Sequence, residues 1–217
     1  MMNPIVEQLK TDLSHNFTDV PTYLKDGLDF AGDLDLLSRG IERVSIIGSR
    51  KPTESGSKAA ESIARELVSK GVVIVSGLAE GIDTIAHKTT IATGGKTIAV
   101  LGTPIDKIYP KSNTDLFRVI EKEHLLLSQF DLGTKTQPSH FPMRNRTMAF
   151  ISDATIICDA TAKSGTKHQA HAALRYGKKL FILGHIIDEQ NVTWCKDLLT
   201  KGAKKLHNYT QEILSLQ

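Results

Sequence analysis

Phosphate oxygens are recognised by three kinds of donor: backbone N–H groups at glycine turns and helix starts, hydroxyls, and guanidinium or ammonium groups. The chain concentrates all three in a few short segments. IIGSRKPTESG brings Gly48, Ser49 and Arg50 together: a close backbone approach, a hydroxyl and a bidentate cation. TAKSGTKHQ does the same with Lys163, Ser164, Gly165 and Thr166 in a glycine loop that enters a helix. In FPMRNRTMAF, Arg144, Asn145 and Arg146 sit where a helix is expected to begin. Two guanidiniums and an amide near N-terminal backbone donors are costly unless an anion, or a carboxylate such as Asp131 or Asp153, neutralises them. In VSGLAEGID, Gly77 and Gly81 bracket a tight turn, and Asp83 and His87 follow at i and i+4 on one helical face. That pair suits acid–base work or, more simply, an intrahelical hydrogen bond that orders the turn.

Several chemistries lack their residues. The G-x-G-x-x-G fingerprint of dinucleotide binding is missing, and so are the Walker A loop and its magnesium-binding Asp. No Ser or Cys nucleophile has a matching base, and Cys158 and Cys195 show no ligand spacing. No cofactor, no metal and no catalytic residue are therefore expected. Cys158 lies in the apolar run ATIICDA, where a buried, inert thiol is expected.

Residues 1–40 hold three Lys/Arg against seven Asp/Glu, whereas residues 133–207 hold twelve against five. A net charge of only +3 thus conceals a basic second half that suits an anionic partner. Aromatic residues make up 6%, which argues against recognition dominated by base stacking. No apolar stretch reaches signal-peptide or transmembrane length, so a cytoplasmic protein without membrane contact is expected.

Strand–helix alternation positions these loops. RVSIIG, VVIVSG, KTIAVLG, HLLLSQF, ATIICDA and KLFILG read as strands, apolar almost throughout. Between them GSKAAESIARELVSK, GIDTIAHKTTIATGG, SNTDLFRVIEKE (with Ser112 or Asn113 as N-cap), MRNRTMAFIS and HQAHAALRYG read as helices. A helix and a short strand are expected in WCKDLLTKGAKKL, and further helices around Pro4–Leu13 and in YTQEILSL. This pattern predicts an α/β, three-layer, extended Rossmann-like fold with a mostly parallel sheet. Residues 1–40 would be a short extension packed on a 41–217 domain. Ligands of such sheets bind beyond the carboxyl ends of the strands, where the basic glycine loops fall.

In this order the segments resemble the DNA-processing protein A (DprA, or Smf) family. The matching stretches are SIIGSRKPTESG, VSGLAEGIDTIAH, GGKTIAVLGTPIDKIYPKSN, FPMRNR, AKSGT and GAKKL. The resemblance implies a non-enzymatic protein that binds single-stranded DNA, often as a homodimer, and helps load the RecA recombinase during natural transformation. It implies DNA contacts at Ser49, Arg50, Arg144, Asn145, Arg146, Lys163, Ser164, Gly165 and Thr166. Gly48 and Gly77 join these as turn glycines of a phosphate site. The chain departs from the family's pattern at Glu80, Pro104, Gln129 and Lys167–Gln169. It reads as a minimal, divergent member without the C-terminal winged-helix domain that many members carry. Two other readings remain open at this point: a sensor of a small nucleotide, and a phosphoribohydrolase-like enzyme of the wider superfamily. The second would need a glutamate that KSGTKHQ lacks.

Overall fold

The structure, a computed structural model, describes residues 10–188 and 192–207. Nine strands form one sheet: β1 (Lys10–Thr11), β2 (Leu28–Gly32), β3 (Arg43–Ile47), β4 (Val73–Ser76), β5 (Thr97–Leu101), β6 (Leu125–Ser128), β7 (Ala154–Ile157), β8 (Lys179–Leu183) and β9 (Lys204–Leu206). The helices are α1 (Glu54–Ser69), α2 (Ile82–Ala92), α3 (Thr114–Glu123), α4 (His140–Ile151), α5 (Thr166–Arg175), α6 (Gly184–Asp188) and α7 (Thr193–Thr200). The spatial order is β1-β2-β6-β5-β4-β3-β7-β8-β9. From β6 to β9 every pair is parallel, and β1 and β2 run antiparallel at one edge.

Every residue of β3, β4, β5, β6 and β7 is buried, so these strands carry no polar face and need cover on both sides. Chain direction supplies it. From β3 the chain steps one way through β4 and β5 to β6, then returns across the sheet to β7 and steps the other way. Right-handed crossovers therefore set α1, α2 and α3 on one face and α4 and α5 on the other. In agreement, α1 packs on α2 and α4 on α5. The reversal leaves β3 and β7 side by side, paired Val44 to Ala154 through Ile47 to Ile157, while their outgoing loops lead to opposite faces. That is the switch point where such sheets open a crevice.

Helix α1 shows how local sequence fixes an element. The Thr53 hydroxyl accepts a hydrogen bond from the Gly56 N–H at 3.0 Å, capping the helix. Ala59, Ala60, Ile63, Ala64 and Leu67 then recur at helical spacing and are buried.

At the N-terminus the helix expected over Pro4–Leu13 does not form where it can be followed. Lys10–Thr11 pair with β2, and Leu13 opens a 3-10 turn capped by Asp12, whose carboxylate accepts from the Ser14 N–H at 2.8 Å. The rest of that segment, and YTQEILSL, lie outside the described residues. Strand β2 pairs with β6, and Leu13, Leu24, Leu28, Leu36 and Leu37 enter the main hydrophobic core. Helix α6 had no counterpart in the sequence reading. Asn113 takes the N-cap position of α3 without a capping bond. Its amide instead donates to the Leu78 carbonyl at 2.9 Å and to the Thr84 hydroxyl at 2.8 Å, tying α3 to the loop after β4. Among the described residues no helix is long and apolar enough to cross a membrane.

The loops after β3 and β4 lock through Gly81. Its φ of +76° lies in the left-handed half of the map, and a Cβ there would collide with the Ser49 carbonyl and the Arg50 backbone. Ile82 N–H donates to that same Ser49 carbonyl at 3.1 Å. Gly81→Ala is therefore expected to cost at least about 1–3 kcal/mol. Chemical denaturation at neutral pH checks this: an unchanged midpoint would show that the two loops are not braced here.

Candidate functional site

A cleft of about 330 Å3 opens at the switch point. Its walls come from the loop after β3, the loop after β7 with the start of α5, and one side of α4. Of the residues singled out in the sequence, Gly48, Ser49, Arg50, Arg144, Asn145, Lys163, Ser164, Gly165 and Thr166 line this one cavity. Gly77 and Arg146 do not.

Close packing of the two loops explains Gly48. A Cβ there would meet Ile82 Cγ1 at 2.5 Å and the Asp159 carbonyl oxygen at 2.9 Å. Asp159, which sequence reasoning missed, ties the loops together. Its buried carboxylate accepts from the Thr53 N–H at 2.9 Å and the Thr53 hydroxyl at 2.6 Å. The carboxylate thus supports the capped N-terminus of α1, where negative charge is favourable. The only signal in the sequence was an acidic residue ending an apolar strand.

Arg144 is buried, and it is not a helix-start residue. Helix α4 begins at His140, so Arg144–Arg146 fall in its second turn, away from its N-terminal donors. The Arg144 guanidinium donates to the Val100 carbonyl at 2.8 Å and to the Gly77 carbonyl, and its Nε donates to the Asn145 side chain at 2.9 Å. Gly77 serves this contact, because a Cβ would fall on the guanidinium. Asn145 in turn donates to the Gly165 carbonyl at 3.2 Å, so α4 clasps the glycine loop. Burial holds Arg144 below the ordinary guanidinium value; Asp83 opposes that shift and Arg50 adds to it.

Asp83 and His87 make neither the acid–base pair nor the intrahelical bond that their spacing allowed. The Asp83 carboxylate accepts from the Gly77 and Ala79 N–H groups at 3.2 and 3.3 Å, closing the turn after β4. Burial raises its carboxyl above the usual range, against Arg144 and these N–H groups. The same turn holds Leu78 at a φ of +57°, a strained conformation for a bulky residue that Asn113 and Asp83 pin in place. His87 faces the other way, with Nδ1 2.7 Å from the Thr97 hydroxyl. That hydroxyl gives its proton to the Ile74 carbonyl at 2.7 Å, so His87 carries its proton on Nδ1 and leaves Nε2 bare in the core.

The exposed cations are Arg50 and Lys163, and neither has an ion-pair partner among the described residues. Arg50 lies over the Phe141 ring at 5.5 Å, and Tyr109, 45% exposed, packs on Phe141 at a centroid distance of 5.5 Å. This aromatic edge beside the cleft was not anticipated from an aromatic-poor composition. Glu80, the acidic departure in the second loop, is held by the Ser112 hydroxyl at 2.8 Å. Arg146 lines a separate groove with His168, His171, Arg175 and Tyr176.

Comparison with known proteins gives a consistent result. The family described as DNA recombination-mediator protein A matches residues 12–217. Protein Smf from Synechocystis sp. is 40% identical over 176 residues, covering 81% of this chain and 44% of that protein. The structure of DNA processing protein A from Streptococcus pneumoniae superposes with a TM-score of 0.80 at 35% identity, over 96% of this chain and 70% of the other. A second structure, of DNA processing protein A from Helicobacter pylori, concerns that protein's single-stranded DNA binding mode. It gives a TM-score of 0.79 at 32% identity, over 92% and 94% of the two chains. The chain spans about half the length of the curated relatives it matches.

Two measurements test the buried groups. Arg144→Ala removes donors from two buried carbonyls and leaves Asp83 without its nearby cation, so a loss of about 3–5 kcal/mol is expected in urea denaturation. Arg50→Ala should stay within about 0.5 kcal/mol of the parent. Burial, with His124 and Arg144 nearby, lowers His87 from 6.5 to about 3. The unfolded chain therefore takes up a proton from about pH 6.5 downward that the folded chain refuses until about pH 3. The stability linked to neutral His87 is complete above pH 6.5 and declines by about 1.4 kcal/mol per pH unit as pH falls through that window. Urea midpoints measured down the pH scale should show this slope, and His87→Gln should flatten it.

Proposed function

The chain belongs to the DNA recombination-mediator protein A family, and from that membership and the cleft we propose that it binds single-stranded DNA through the phosphate backbone. One observation carries the reading. Two loops that follow buried strands, those after β3 and β7, deliver Arg50, Lys163, two hydroxyl residues of the glycine loop and the α5 N-terminus to a single cavity. The carboxylate that lines it, Asp83, is already engaged by the Gly77 and Ala79 N–H groups. Positive potential is left at the rim, where a phosphate neutralises it.

The unpaired strand suits the site better than a duplex does. Phe141 and the exposed Tyr109 offer ring faces beside the cations, and bases can stack on them only when they are free of a partner strand. Backbone contacts carry no base code, so the binding is indifferent to sequence. The relative from Helicobacter pylori, whose single-stranded DNA binding mode is described, supports the same ligand class.

The activity is binding without catalysis. Asp83 and His87 are bonded away from one another, and the KSGTKHQ loop offers no glutamate to assist cleavage of a glycosidic bond. Recombinase loading during DNA uptake, with RecA as partner and a homodimer as working unit, belongs to the same reading. So does a cytoplasmic location, which the free, buried Cys158 and Cys195 thiols suit.

A salt titration of a fluorescent oligonucleotide tests the cleft. Replacing Arg50 and Lys163 together by Ala should weaken binding to all sequences alike. The slope of log affinity against log salt should shrink by about 1.4, at about 0.7 per lost phosphate contact on a single strand. An unchanged affinity and slope in that double variant would sink the assignment.

A further inference from the structure

Arg146 is the one anticipated phosphate ligand that turns away from the cleft without a role in holding the fold, and the company it keeps is cationic. It lines a groove of about 170 Å3 with His168, His171, Ala172, Arg175 and Tyr176. No carboxylate lines this groove, and Arg146, His168, His171 and Arg175 have no ion-pair partner among the described residues. All four are exposed. Its apolar end is fixed: Tyr176 packs edge-on against Phe150 with ring centroids 5.6 Å apart, and its hydroxyl lies 3.0 Å from that of Tyr23.

The groove and the cleft share walls. On α4, Arg144 and Asn145 belong to the cleft and Arg146 to the groove; on α5, Thr166 and Gln169 face the cleft while His168 and His171 face the groove. Consecutive residues of a helix are turned about 100° from one another, so the groove lies one step around α4 from Asn145 and one step around α5 from Gln169. A flexible polyanion leaving the cleft over the first turn of α5 passes the exposed Lys167 and His168 to reach the groove. We infer that the groove between α4 and α5 is a second phosphate-contact site, which takes the stretch of strand that continues past the cleft and holds it more tightly when His171 is protonated. This rests on the cleft being the primary strand site.

The charges facing the His171 imidazole support the second half of the inference. Arg146 comes from α4; Lys167 and Arg175 from α5; Lys201 and Asp197 from α7, which packs on α5. Burial first, then Lys201, Lys167 and His168, hold His171 below its ordinary value, and only Asp197 opposes them. A phosphodiester placed among these groups reverses the balance and draws a proton onto His171, so binding is coupled to proton uptake. A second copy of the chain is a poorer occupant, because a two-fold interface centred here would press the same cations against themselves.

The test compares a short oligonucleotide of about 5 nucleotides, which the cleft alone can hold, with one of about 20. His171→Ala combined with Arg175→Ala, both exposed and helix-compatible, should weaken the long strand about tenfold and leave the short one within about twofold. Between about pH 8 and pH 6 the parent should tighten on the long strand only, and the double variant should lose that response. If the Arg50 and Lys163 variant weakens both strands while the groove variant leaves the long strand unchanged, the groove inference alone falls. If neither strand binds the parent protein, the cleft reading falls and takes the groove with it. Inorganic phosphate at matched ionic strength should compete no better than chloride; selective competition against the long strand would assign the groove to a free oxyanion instead. Sedimentation of the groove variant should match the parent, and dissociation would make the groove a subunit interface.

Discussion

A guanidinium buried between three parts of the fold holds the site together. Arg144 reaches from α4 to the carbonyls at the ends of β4 and β5, and through Asn145 to the glycine loop before α5. Taking a cation out of water is expensive, and carbonyl dipoles with one nearby carboxylate make it tolerable only while every partner stays in place. The cost enforces the geometry. A shift of the turn after β4 would strand the charge, so that turn is kept in a strained form, with Leu78 in the left-handed region and Gly77 stripped of a side chain.

This arrangement separates two jobs that look alike in sequence. Arg50 and Arg144 sit in one cleft, but Arg144 is spent on structure and its charge adds to the potential that Arg50 feels. Arg50 and Lys163 stay exposed at the rim beside the glycine loop. The loops around the cleft are braced by Gly81 against Ser49 and by Asp159 against Thr53.

The sheet and most of the site were legible because their causes are local. Runs such as RVSIIG and ATIICDA have no polar face and must lie in a covered parallel sheet, which places the loops that follow them at its carboxyl edge. Turn glycines and basic residues could then be assigned to that edge without knowing the strand order. What could not be read depended on distant partners or on rotation about a helix axis. The start of α4 at His140 rather than Met143 turns Arg146 out of the cleft and buries Arg144. Asp83 and His87 have the spacing of a pair, yet backbone N–H groups four and six residues back and a threonine on β5 outcompete that pairing. Asn113 shows the same effect, leaving its cap to bond across to Leu78.

The basic surplus of the second half of the chain thus divides by depth rather than by position along the sequence. Arg144 is drawn inward where carbonyls can solvate it, whereas Lys163, Arg146 and Arg175 remain at the surface. Acidic residues of the core, Asp83 and Asp159, are consumed by N–H groups and neutralise none of the surface cations. Acidic and basic residues nearly balance over the whole chain, and the face around α5 is nonetheless cationic, because the acidic excess lies in residues 1–40 and the basic excess in residues 133–207. Net charge is a poor guide to such a surface; where along the fold each sign collects is a better one.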